Sequence, residues 1–118
     1  MAVIVTPGST VVDSSGTGEV ALVAAPLAGV FRHVISVHHF NPSGNSVDAS
    51  NSLVLYKKVS GVLHEYASRE TPAAGSDDIV TRDKPVILNP TDDSLAIKLS
   101  GASTTPWKVH ASWVDITP

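Results

Sequence analysis

The chain has 118 residues, 42% hydrophobic and only 16% charged, with a formal net charge of −3 at pH 7 and no cysteine. That length supplies one core, since a domain this size buries roughly two thirds of the surface its unfolded chain exposes, and the absence of cysteine excludes disulfides and thiolate metal sites. Eight scattered Lys and Arg residues form no basic stripe for phosphates, and no apolar run approaches the roughly eighteen residues of a membrane span, so neither nucleic acid nor membrane is an expected partner.

The opening MAVIVTPGST has no basic n-region, so cytoplasmic synthesis without a signal peptide is expected. Residues 2–5 read as a short strand closed by Pro7 and Gly8, and residues 10–12 as another before a Ser, Gly and Thr stretch. Residues 1–18 therefore read as an extended N-terminal arm or first strands, ahead of one domain over 19–118. Residues 19–24 lead to Pro26 and Gly29, and then to the longest strand pattern, 30–40. There Phe31, His33, Ile35, Val37 and His39 alternate with Val30, Arg32, Val34, Ser36 and His38, and both faces are half apolar, as a central strand requires.

A polar turn cluster from Asn41 to Asn45 and a loop through Asn51 precede a strand at 53–58, with Leu53 and Leu55 facing the core. Ser60 and Gly61 split it from 62–70, a spacing that predicts a β-hairpin. After a loop at 71–78 come short strands at 79–81 and 85–88 and the turn Asn89 to Asp93. In 94–100 Leu95, Ile97 and Leu99 point inward and Ala96 and Lys98 outward; in the last strand Trp107, Val109, Ala111 and Trp113 share a face. The fold class expected is all-β, an antiparallel β-sandwich or jelly roll of seven to nine short strands.

Chemistry is sparse in this pattern. Five histidines are present, but adjacent His38 and His39 point to opposite faces of a strand, and nothing in the spacing makes His33, His64 and His110 converge. The pairs Asp77, Asp78 and Asp92, Asp93 sit in turn-forming contexts where carboxylates accept local backbone hydrogen bonds. No serine elbow, phosphate loop or metalloprotease signature occurs. No enzyme activity, catalytic residue, metal or cofactor is expected. Trp107, Trp113 and Phe31 share faces with apolar neighbours and are expected in the core, whereas Phe40, Tyr56 and Tyr66 lie beside charged and polar residues and are candidates for exposed contact.

The segments ALVAAP (21–26), FRHVISVHHFN (31–41), LVLYKKVSG (53–61), LNPTDDSLAIKLSG (88–101) and STTPWKVHASWVDIT (103–117) resemble small virion-associated proteins of tailed bacteriophages. The resemblance implies a β-sandwich of the capsid decoration (cement), head-fibre or tail-attachment type, located in the virion. It implies as partners the major capsid protein or other virion proteins, and a homo-oligomer with a trimer favoured. An apolar arm end, Val3, Ile4 and Val5, then suits contact with a neighbouring subunit. A receptor- or glycan-binding module of a tail, baseplate or fibre is the alternative, and it requires exposed aromatic rings.

Overall fold

Proline, glycine and aspartate clusters cut the chain into short extended runs, and the computed structural model describes residues 3–42, 51–70, 75–103 and 105–118. Among them the strands are β1 (Ile4–Ser14), β2 (Val20–Val23), β3 (Phe31–Phe40), β4 (Ser52–Val59) and β5 (Val62–Glu70), followed by β6 (Ser76–Val80), β7 (Val86–Leu88), β8 (Asp93–Leu99) and β9 (Trp107–Thr117). The turn expected over 43–45 and the loop over 71–74 lie outside the described residues.

All pairings are antiparallel and they are nested. β1 pairs β9, β2 pairs β8, β3 pairs both β6 and β7, and β4 pairs β5. The chain is thus a long hairpin whose tip is β4–β5, rolled up so that β9 also meets β3 and β8 also meets β4. Two sheets result, β1-β9-β3-β6 with β7 also on β3, and β2-β8-β4-β5. β6 and β7 flank the two halves of β3 and act as one strand interrupted at residues 81–85. Eight positions wound in this order are a jelly roll, which decides between the two connectivities left open by periodicity.

The apolar residues follow that winding. Leu22, Leu53, Leu55, Leu95, Ile97 and Leu99 from one sheet meet Val34, Val37, Val86, Leu88, Val109 and Trp107 from the other, all at most 4% exposed. The β4–β5 turn has two central residues, Ser60 and Gly61, with φ of 49° and 83°, the geometry whose twist matches a hairpin. Asp93, 2% exposed, accepts hydrogen bonds from the Asn89 backbone N–H (3.0 Å) and Nδ2 (2.9 Å), closing the 89–93 turn.

Four readings need correction. Pro7 and Gly8 do not end a strand; β1 runs through them as an edge, where a proline N without hydrogen costs no ladder bond. A bulge at Ile35 resets the alternation of β3, so Val34, Val37 and His39 are buried and Phe31 is 37% exposed instead of being core. Asp77 and Asp78 belong to β6, not to a loop. Ala96, expected outward, is 2% exposed.

Every sheet edge is blunted by a different device. β1 carries Pro7 and Asp13; β2 has only four residues. β5 is bulged where Leu55 and Tyr56 face Ala67 and Glu65, and the β6–β7 edge is interrupted at 81–85. These are the features by which natural sheets resist edge-to-edge pairing. Contacts with other proteins are therefore expected through side-chain faces.

Candidate interaction face

The outer face of the β1-β9-β3-β7 sheet is organised in cross-strand rows. In the first, Val5 lies opposite Ile116, which lies opposite Phe31; in the second, Pro7, Val114, His33 and Ile87 align. Serine fills the third row, Ser9, Ser112 and Ser36. Val11, His110, His38 and Asp78 make the fourth, and Asp13, Lys108, Phe40 and Ser76 the fifth. The sheet thus grades from apolar at one end to titratable at the other. Val5 is 59% exposed, and Phe31 and Ile87 are 37% each. Adjacent exposed apolar residues of this kind, as distinct from isolated ones, make the face a candidate contact surface.

A groove of about 500 Å³ opens beside the second and third rows, lined by Pro7, Ser9, Ile35, Arg82, Ser112 and Val114 among others. The bulge that resets β3 is what places Ile35 there, and the interruption between β6 and β7 places Arg82 at the rim. In the polar rows Lys108 pairs with Asp13 (2.8 Å), and His38 Nδ1 lies in hydrogen-bond contact with Asp78 Oδ1 (2.7 Å). Among the described residues Arg82 has neither a hydrogen bond nor an ion pair.

The opposite side of this apolar end is fastened from within. Arg32 makes a two-pronged contact with Asp115 (Nε 2.7 Å, Nη2 3.0 Å), donates to the Ala24 carbonyl (2.9 Å) and lies 4.9 Å from the Trp113 ring centre. Trp113 in turn lies across Gly8. A Cβ there would overlap its Nε1 and Cε2 atoms, so only glycine admits the ring. Gly8→Ala is expected to displace Trp113 and cost roughly 1–3 kcal/mol, read by urea unfolding and by a change in tryptophan emission.

Two other groups sit deep at the far end. Trp107 is fully buried, with the His39 ring stacked on it at 5.7 Å and 1°. Burial lowers the His39 pKa from the usual value of 6.5; Asp77 and Asp78 raise it and His38 and Arg69 lower it. Among the described residues no group of three His, Asp or Glu side chains could hold a metal ion.

The fold has a solved counterpart. A chain in a structure described as the cyanophage Pam1 capsid asymmetric unit aligns with a TM-score of 0.50 and 14% identity, covering 98% of this chain and 85% of that one. No protein-family model and no curated protein matches. At 14% identity the likeness concerns the fold, and it extends across essentially the whole jelly roll.

The contact residues read from sequence are not gathered in one place. Val3, Ile4 and Val5 are 59–60% exposed at the end of β1, but only Val5 lies on the apolar rows. Phe40, 37% exposed, is in the opposite, charged row; Tyr66, 47% exposed, is on β5 of the other sheet. Tyr56 is half-buried on β4 with Lys98 Nζ 5.2 Å from its ring centre. Phe31, Ile87, Val114 and Arg82, which the structure places on the rows and at the groove, do not stand out as contact candidates in the sequence. Their only sequence signal is alternation on strands whose register and bulge the sequence leaves unset, and Arg82 reads as one charge in a polar turn.

Proposed function

We propose that the chain is a non-enzymatic structural protein of a phage particle, a capsid decoration (cement) protein that lies on the major capsid protein lattice or on other virion proteins as an oligomer, with a trimer favoured. The observation that carries this reading is the pair of rows on the outer sheet face without Asp, Glu, Lys or Arg, Val5, Ile116 and Phe31 beside Pro7, Val114, His33 and Ile87. They offer a largely apolar contact that spans three strands. Two lines support it. Jelly rolls are a recurrent architecture of viral capsid domains, and the chain with the same fold comes from a capsid asymmetric unit.

In this reading β1, Ile4–Ser14, is the first strand of the domain and not a free arm, because it pairs with β9 along its whole length and Ser14 is buried. The alternative of a glycan-binding fibre module draws no support from Trp107, which is fully buried. The test is copy number: particles purified from the phage that encodes the chain are quantified by mass spectrometry. Tens to hundreds of copies per particle are expected. A handful of copies would favour a tail or fibre role, and absence from the particle would end the virion reading.

A further inference from the structure

We propose that the groove beside the serine row is the specificity pocket of this face and receives an extended apolar segment of a partner virion protein carrying a carboxylate side chain, which Arg82 reads. The inference rests on the virion reading above and adds the chemistry of what is bound. Pro7, Ile35 and Val114 give the groove an apolar floor, and Ser9 and Ser112 supply hydroxyls that can both donate to and accept from a peptide backbone.

Charge complementarity decides the occupant. Arg82 is the charged residue of the lining, it is exposed, and it has no ion pair among the described residues. By contrast Arg32, Lys108 and Lys58, elsewhere in the fold, are each held by a carboxylate at 2.7–3.1 Å. A guanidinium left open above an apolar floor is matched by a carboxylate, whose two oxygens fit its planar donors. One cation in the groove lining, in a chain of net charge −3, does not suit a phosphate backbone or an anionic membrane, each of which needs several. Pro7 and Asp13 on β1 disfavour binding by strand addition there, so the segment is held by side chains in the groove.

The test uses the full chain and two acetylated, amidated peptides as probes: Thr-Leu-Glu-Val-Glu-Ile-Thr, and the same peptide with lysine at both glutamates. Backbone amide chemical-shift mapping is expected to place the glutamate peptide at Ile35, Arg82, Ser112 and Val114, with the lysine peptide leaving those signals unmoved. Arg82→Ala is expected to weaken glutamate-peptide binding about tenfold, and Arg82→Glu to reverse the preference. Ser112→Trp fills the groove and is expected to abolish binding. Arg82 is exposed in a turn, so its variants keep the fold even if Ser112→Trp does not.

Equal binding of both peptides, shifts confined to another face, or no binding of either at millimolar concentration would overturn the proposal. So would an oligomer that dissociates to monomers in Arg82→Ala, because the groove would then hold a second copy of this chain. Particle association measured in parallel separates the two claims. Arg82→Ala chains that still saturate particles sink the groove and leave the virion role, whereas peptide binding without any particle association sinks the virion role alone.

Discussion

Trp107→Ala is expected to be the most damaging single substitution in the chain. The indole is fully buried where β9 begins, stacked on His39 and enclosed by the shared core. Removing a buried Trp side chain costs about 3–5 kcal/mol through lost transfer energy and the cavity left behind. A small domain has only about 5–15 kcal/mol in total. For a chain of this length, where each kcal/mol shifts Tm by roughly 4 °C, thermal unfolding followed by circular dichroism should show a loss of about 12–20 °C. Trp107→Phe keeps a ring against His39 and should lose less than half as much. A Trp107→Ala protein that melts within a few degrees of wild type would show that this end of the sandwich is not packed as described.

Stability is expected to fall on mild acidification, and His39 is the cause. Its pKa is lowered in the folded chain, chiefly by burial, from the ordinary value of 6.5 that it regains on unfolding. Below that value the unfolded chain binds more protons than the folded one, so the free energy of unfolding rises with pH there and levels off above it. The contribution is thus complete above pH 6.5 and is lost progressively as the pH drops below it. His39→Phe keeps the stack on Trp107 and removes the titration. Urea unfolding between about pH 8 and 5 should therefore show a downward slope for wild type and a shallower one for the variant. Parallel curves would exclude His39 as the sensor.

Strand content was legible from sequence wherever local chemistry pins the chain. The 62–70 strand is found as read because Ser60 and Gly61 supply the positive-φ turn that sets its register. Leu95, Ile97 and Leu99 are buried as their alternation requires. Long-range facts were not legible. The bulge at Ile35 inserts one residue opposite β9 and turns Phe31 from core to surface, yet nothing in FRHVISVHHF announces it. Pro7 and Gly8 look like a stop, and they are accommodated because β1 is an edge and Trp113 lies over the glycine.

The nesting of β1 with β9 and β2 with β8 is likewise a property of the whole chain, because period-2 patterning assigns faces and not neighbours. The same limit explains the contact residues. Val5 stands out in the sequence by its hydrophobicity, but its row mates Phe31 and Ile116 are 26 and 111 positions away; Ile116 pairs with Val5 directly, and Phe31 joins the row through Ile116. Tyr56 and Tyr66, chosen for their polar neighbours, fall on the other sheet.

The most direct test of the account is co-sedimentation of the purified chain with capsids assembled without it, comparing wild type with Val114→Asp, which puts a charge into the middle of the apolar rows. Wild type should co-sediment saturably, and a Val114→Asp protein with unchanged circular dichroism should bind at least tenfold more weakly. Failure of wild type to bind, or undiminished binding of the folded Val114→Asp chain, would contradict the assignment of this face to the particle.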